Sequence, residues 1–496
     1  MRLYRAVQSK LLQGDISGAV RAISSDSSVA PRCDTVLNQL RSKHPRTPAD
    51  IRAIPTLDTV PPIPITPAEF SAALGSFAPS SSGGLDGLKP IHLRDLVSPI
   101  TLDSGRDLLS SITRLCSRIV SGTIPAVARE LLFSAGLIAL KKAEGGVRPI
   151  AIGNVFRRLS AKIMSFRVVP TLSSEFLPFQ YGVGVKGACE ILAHGTRQLL
   201  HSKPNDCEFI VKLDVSNAFN CVRRDHMFEV VSKRCPELWP IVNLAYSSPS
   251  CLLFHGETIM SECGIQQGDP LGPLLFALSV DHIARNLASN VNFWYLDDIT
   301  IGGPLDVVME DINKITSGFA EIGLSLNGRK CELVNISLSS GALSQASSSL
   351  RGLIAGLRLT PTNDLVILGS PISEHGILKS LLSKLEEIKL LTERIRGLDS
   401  HMAFFLLRNF LFIPRLTYIL RSSPCFVAPD ALLAIDNLIL TSLRFKPPEK
   451  VNERSTLGIE VEVVVGKKYY LSIRSIVYVT TVKGPNIIGC KDMCDL

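Results

Sequence analysis

Residues 293–303 read FWYLDDITIGG. Two runs rich in aromatic and β-branched residues flank the adjacent acids Asp297 and Asp298. Such a pattern predicts a β-hairpin with the acids at its turn. On its own, an Asp-Asp pair is an ordinary solvated turn. It gains meaning from residues 209–219, FIVKLDVSNAF, a short apolar strand that ends at Asp214. One strand end carrying a single acid and a hairpin carrying two can meet across neighbouring strands. Burying an uncompensated carboxylate is costly, so three together are stable only if cations neutralise them. Hard oxygen ligands suit Mg²⁺, and two such ions about 3.5–4 Å apart can hold both the attacking and the leaving oxygens of a phosphoryl transfer.

Outward from these acids the chain alternates between strand and helix signals. Residues 266–287, QQGDPLGPLLFALSVDHIARNL, are a glycine loop feeding a helix, with Pro270 and Pro273 where a first turn tolerates them. Asp269 stands where it can cap that helix. LLFSAGLIALKK at 131–142 predicts a strand, AEGG a hairpin tip, and VRPIAIG the returning strand. From Asn154 the apolar residues Val155, Leu159 and Ile163 recur every four positions, with Arg157, Arg158 and Lys162 between them. That spacing predicts an amphipathic helix with a basic outer face. Between Arg129 and Arg167 stand Arg129, Lys141, Lys142, Arg148, Arg157, Arg158, Lys162 and Arg167 against only Glu130 and Glu144. A one-sided run of this kind points to a phosphate-binding surface.

Composition sets broad limits. The chain has 496 residues, 46% hydrophobic and 20% charged, with a formal charge of +8. These values fit an ordered protein of several subdomains and permit a polyanionic partner without demanding one. The 12 cysteines show no pairing rhythm, and Cys490 and Cys494 have no histidine after them, so no zinc ligand set is expected. Scattered thiols and an N-terminus without an apolar signal core suggest the nucleus or cytoplasm, not secretion. Runs such as AFFLLRNFLFIP at 403–414 read as too short and too charged to span a bilayer, so no membrane partner is expected.

In order along the chain come SGGLDGLKPIHL, LIALKKAEGGVRPIAIGNVFRRL, PFQYGVGVKGACEILAH, KLDVSNAF, GIQQGDPLGPLLFAL, YLDD, GLSLNGRKCEL and VILGSPI. This series resembles the motifs of reverse transcriptases, most closely those of non-LTR (LINE-type) retrotransposons, over about residues 70 to 445. YLDD alone is weak. YLDD after QGDPLGP after DVSNAF, at these spacings, is specific. Composition gives a helical N-terminal extension and Pro-rich linker at 1–69, and the resemblance implies an α+β right-hand polymerase beyond it: fingers at 70–205, a palm with an antiparallel sheet at 206–375 and a helical thumb at 376–450. The tail at 451–496 departs from the family.

The resemblance also implies roles. Asp214, Asp297 and Asp298, with the Val215 carbonyl, would hold two Mg²⁺ ions, Mn²⁺ being a substitute. Phe219 would be an aromatic gate beneath the sugar, leaving no room for a 2′-OH. Lys141 and Arg148 would hold the triphosphate of a dNTP, Arg148 as a planar fork and Lys141 as a point charge. Gln267 and Gly268 would lie against the nucleotide and template, and Lys330 would protonate leaving pyrophosphate. Glu190 and His194, one helical turn apart, read as structural or template-contacting. LVILGSPI at 365–372 resembles a hairpin that grips the primer end. The implied function is an RNA-directed DNA polymerase using an RNA template, a DNA primer and dNTPs. Two other readings stay open: an inactive or co-opted RNA-binding remnant of such an element, and an RNA-directed RNA polymerase with the same palm chemistry.

Overall fold

The apolar runs do become strands, in two main sheets. In a computed structural model of the chain, the described residues are 2–12, 14–24, 29–57, 61–142, 145–202 and 207–444; the tail expected at 451–496 lies outside them. The strands are β1 (Ala135–Lys141), β2 (Val147–Gly153), β3 (Phe209–Asp214), β4 (Ser250–Phe254), β5 (Glu257–Ser261), β6 (Val291–Tyr295), β7 (Asp298–Gly303), β8 (Glu332–Asn335), β9 (Arg358–Thr360), β10 (Val366–Ile367) and β11 (Ser370–Pro371). One sheet has the order β6-β7-β3-β8-β9, a second the order β2-β1-β4-β5, and β10 and β11 form a separate hairpin. The fold class is α+β, as expected.

The five-stranded sheet owes its order to buried β-branched and aromatic residues. β3 is buried along most of its length and pairs antiparallel with both β7 and β8. β6 and β7 pair antiparallel with Tyr295 opposite Asp298, leaving Leu296 and Asp297 as a two-residue turn. Trp294 is fully buried and meets Phe319 edge-on, ring centroids 6.1 Å apart. Phe319 lies on the helix Leu305–Glu321, and the helix Gly272–Arg285 adds Leu275 and Phe276 to the same core. Each such side chain contributes about 1.5–3 kcal/mol on burial, so the sheet is fastened from behind by its helices.

The chain divides into two compact units. The larger holds residues 27–188 and 203–359, including both main sheets. The smaller gathers the described parts of 1–26, 189–202 and 360–444, and is mostly helical. Its core joins Val7, Ala19 and Ile23 to Leu381, Ile388, Leu416 and Ile435, so the N-terminal helices Arg2–Leu12 and Ile16–Ser24 pack with helices distant in sequence. The β10–β11 hairpin belongs to this unit, where Arg197 donates to the Pro371 carbonyl at 2.7 Å and to the hydroxyls of Ser370 and Ser423. His194 meets the Arg421 carbonyl at 3.0 Å, and Glu190 pairs with the Arg421 guanidinium at 3.2 Å.

Three expectations are corrected. The run LLFSAGLIALKK is not one strand: residues up to Phe133 end the helix Ala126–Phe133, and β1 starts at Ala135. The basic stretch is largely internal wiring. Asn154 caps the helix Val155–Phe176 by accepting from the Phe156 amide at 2.9 Å. On that helix Arg157 is 2% exposed and donates to the Phe133 carbonyl, to Gln266 and to Asp269. Arg158 donates to the Ser82 carbonyl, Lys162 to the Ser76 hydroxyl, and Arg167 pairs with Glu69 at 2.6 Å. Arg129 donates to the carbonyls of Leu244 and Ser248. Finally, AFFLLRNFLFIP sits within a 22-residue helical stretch, His401–Ser422, that by length and composition is sufficient to cross a bilayer. Its Leu406, Leu407, Leu411 and Leu416 are buried in the core of the smaller unit.

The helix Pro67–Gly75 shows how charge and capping cooperate. Thr66 and Glu69 form a reciprocal capping box, and Arg167 beside it pulls the Glu69 carboxyl down to about 2. A depressed carboxylate contributes stability above its unfolded pKa that is lost as pH falls through the folded one. Glu69→Gln should therefore destabilise the chain at pH 7 by about 1 kcal/mol, since the charge-assisted contacts go and the pair is partly exposed. In urea unfolding the gap between variant and wild type should shrink as pH drops from 4.5 towards 2.

Candidate active site

The register of β3 against β7 sets Asp214 directly opposite Asp298, and Asp297 occupies the adjoining turn. Directly opposed residues in an antiparallel pair have Cβ atoms about 4.5–5.5 Å apart. All three acids line one cavity of about 420 Å³. Burial, then the neighbouring charges of Asp297 and Asp214, push the Asp298 carboxyl up to about 6. Asp297 is raised as well, first by burial and then by Asp214. Burial and crowding thus disfavour the ionised forms of Asp297 and Asp298.

Asp214 is held by one residue twice. The Asn327 amide donates to the Asp214 carbonyl at 2.8 Å and its side chain to Oδ2 at 3.1 Å. Beyond Asp214 the chain turns sharply through Asn217, whose φ is +50°. Asparagine tolerates this left-handed region. Its side chain donates to the Lys43 carbonyl at 2.8 Å and accepts from Asn220 at 3.1 Å. The turn sends Phe219 back to the cavity wall, stacked on Phe276 with ring centroids 5.0 Å apart.

The loop before the helix Gly272–Arg285 is stitched to β2. The Ala151 amide donates to the Gln267 carbonyl at 2.7 Å. Gly268 has φ +120°, and a Cβ there would lie 2.3 Å from the Ala151 carbonyl oxygen, so only glycine fits. The N-cap position of the helix is Leu271, with no side-chain cap, while Asp269 lies in the turn before it and accepts from the Leu271 amide at 3.0 Å. Its other oxygen takes the Arg157 guanidinium at 2.9 Å and the Tyr246 hydroxyl at 2.7 Å. This buried pair anchors the loop that carries Gln267.

Four cations line the same cavity: Lys43, Lys142, Arg148 and Lys330. Burial, then the charges of Lys43, Lys330 and Arg148, lower the Lys142 pKa. The expected pair was Lys141 and Arg148. Arg148 lines the cavity; Lys141 does not, and Lys142 stands there instead. Lys141 is the last residue of β1, opposite Val147, and successive side chains along an extended chain point to opposite faces. Asp214, Val215, Phe219, Gln267, Asp297, Asp298 and Lys330 line the cavity, and Gly268 packs its backbone against Ala151. Lys43, Lys142, Asn217 and Asn327 were not foreseen. The NGRK turn carried the only local hint of Asn327.

The donor chemistry suits divalent cations: Asp214 and the Val215 backbone share a lining with Asp297 and Asp298, whose proton affinity is raised. Among the described residues, no three His, Cys, Asp or Glu side chains enclose a metal position by themselves. Mg²⁺ does not require such a cage, since it usually binds through one or two carboxylates plus substrate phosphates and water. The cavity thus gathers carboxylates and basic side chains on one lining. A raised carboxylate pKa costs folding stability above that pKa, and the cost fades as pH falls through it. Asp298→Asn should therefore raise the melting temperature at pH 7.5 in EDTA, with the gain shrinking towards pH 4.5, as checked by differential scanning fluorimetry.

Residues 140–372 match the family described as reverse transcriptase (RNA-dependent DNA polymerase). The chain is 28% identical over 273 residues to the retrotransposable element SLACS 132 kDa protein of Trypanosoma brucei gambiense, covering 52% of this chain and 22% of that protein. It is 25% identical over 285 residues to the retrovirus-related Pol polyprotein from the type-2 retrotransposable element R2DM of Drosophila melanogaster, covering 52% and 25%. The matched stretch thus spans about a quarter of those relatives' own length. Among solved structures, apo telomerase from Candida tropicalis aligns with a TM-score of 0.35 at 11% identity, over 65% of this chain and 67% of that one.

Proposed function

We propose that this chain, which carries a reverse transcriptase domain over residues 140–372, is an RNA-directed DNA polymerase of a non-LTR retrotransposon. The observation that carries the reading is the pairing of Asp214 with Asp298 across β3 and β7, beside Asp297 and with Lys142 and Arg148 in one cavity. On this reading the five-stranded sheet and its helices are the palm, the β1–β2 hairpin belongs to the fingers, and the helices from Glu374 onward form the thumb. The partners are an RNA template, a DNA primer and dNTPs, and the proposed compartment is the nucleus or cytoplasm.

In the reaction the primer 3′-oxygen attacks the α-phosphorus of the dNTP; the new P–O bond forms as the bond to pyrophosphate breaks. Asp214, Asp297, Asp298 and the Val215 carbonyl would hold two Mg²⁺ ions, Mn²⁺ being a substitute. When bound, such ions supply Lewis acidity that eases loss of the hydroxyl proton and offsets charge on the leaving group. The chain's own residues do the positioning. Asn327 fixes Asp214. Lys142 and Arg148 grip the triphosphate, Arg148 as a fork and Lys142 as a point charge. Lys330, which lines the same cavity, would hand a proton to pyrophosphate, and Lys43 adds charge to that lining. Phe219, backed by Phe276, sits under the sugar and excludes a 2′-OH. Gln267 is held against the nucleotide by the Ala151 contact.

Phe219 favours the DNA-making reading over RNA synthesis, and the retained acid trio favours an active enzyme, since folding alone gains nothing from it. On poly(rA)·oligo(dT) with Mg²⁺, Asp297→Asn should reduce dTTP incorporation by about 10³-fold or more, as expected when charge stabilisation of the transition state is lost. Incorporation near the wild-type rate would overturn the assignment. Phe219→Ala should raise UTP use relative to dTTP by roughly 10–100-fold, because removing a steric wall relaxes discrimination. An unchanged ratio, measured by competitive single-nucleotide extension, would remove Phe219 from the gate.

A further inference from the structure

The turn that presents Asp297 and Asp298 is held in an unfavourable backbone conformation. Leu296 is its first central residue and has φ +57°. Two-residue hairpin turns with positive φ at that position normally use glycine. A residue with a Cβ pays about 1–2 kcal/mol there. Something must hold Leu296 in place.

Gln180 does so from a distant part of the chain. It is 1% exposed. Its Oε1 accepts from the Leu296 amide at 2.8 Å and from the Gly182 amide at 2.9 Å. Two N–H donors on one atom settle which end of the amide is oxygen. The flanking backbone continues the contact: the Trp294 amide donates to the Phe179 carbonyl at 2.7 Å, and the Tyr181 amide to the Trp294 carbonyl at 2.8 Å. A Cβ on Gly182 would lie 2.6 Å from Leu296 Cγ, so residue 182 closes directly over the turn. The Gln180 Nε2 is buried without a partner. An orphaned buried donor costs roughly 1–3 kcal/mol, so stability alone is a poor reason for glutamine here; its acceptor oxygen is what the turn uses.

We propose that Gln180 is a positioning residue for nucleotidyl transfer: its side-chain oxygen locks the left-handed turn at Leu296 and so aims Asp297 and Asp298 at Asp214. The inference rests on the polymerase reading, because the lock matters only if those acids must converge.

The test combines single-nucleotide primer extension with amide hydrogen exchange on the full chain. Gln180→Met should lower kcat roughly 10–100-fold, the scale of a small misplacement of catalytic groups, with the KM for dTTP little changed. Exchange at the Leu296 amide should accelerate while peptides of β3 keep their protection. Adding Leu296→Gly to Gln180→Met should recover most of the lost kcat, since glycine adopts the turn unaided. Failure of glycine to rescue, or unchanged exchange at Leu296 in Gln180→Met, overturns the lock. Should Gln180→Met not fold, a second pair decides the matter. Leu296→Asn tolerates positive φ and should keep kcat near wild type, whereas β-branched Leu296→Ile resists it and should lose activity; equal kcat in the two overturns the lock. A wild-type chain that extends no primer would instead defeat the polymerase reading, and the exchange experiment would still judge the lock.

Discussion

The account depends on one register. β3 and β7 pair so that Asp214 faces Asp298, and a slip of one residue would turn every side chain of β7 to the other face. The core prevents that slip. Ile299 and Ile301 on β7 and Val211 and Leu213 on β3 are packed into the main core, and a slip would exchange the two isoleucines for the smaller Thr300 and Gly302 and break that close packing. The hydrophobic core thus does more than stabilise the sheet; it sets which residues meet at its open end.

What meets there is unfavourable in isolation. Burial and like charges raise the proton affinity of Asp297 and Asp298, while burial and neighbouring cations lower that of Lys142 in the same cavity. Proteins keep such arrangements where chemistry needs them. The supports come from elements far apart in sequence: Asn327 grips Asp214, Gln180 braces the turn, and the buried Arg157–Asp269 pair seats the loop bearing Gln267. Asn327 bonds a side chain inside the cavity, whereas Gln180 and Arg157 act on the elements that carry the site.

Much of this was legible in the residues. The FWYLDDITIGG hairpin, the strand ending at Asp214 and the helix from Asn154 follow from local periodicity, and local periodicity is what sequence carries best. The losses have physical causes. Counting charges between Arg129 and Arg167 did not separate an exposed arginine from a buried one, and Arg157 proved to be wired to Asp269 and Gln266. Lys142 rather than Lys141 lines the cavity, a difference of one position that in an extended chain is a difference of face. Lys43 reaches the cavity from a segment with no local signal, and its nearest link is the side chain of Asn217. Gln180 lay in a quoted motif, yet its role depends on the backbone angle of a leucine 116 positions away. The β4–β5 hairpin turns at His255 and Gly256, both with positive φ, and His-Gly is a weaker turn signal than Asn-Gly.

The central claim is that Asp214 and the Asp297–Asp298 turn share bound cations. Iron-directed cleavage addresses it most directly: Fe²⁺ replaces Mg²⁺ in the presence of primer, template and dTTP, ascorbate and peroxide are added, and the cut sites are mapped by mass spectrometry. The account requires cuts at both the 213–216 and the 295–299 segments in the same sample, and both must fade as Mg²⁺ is added back. Cutting at only one of them, or at neither, would contradict it.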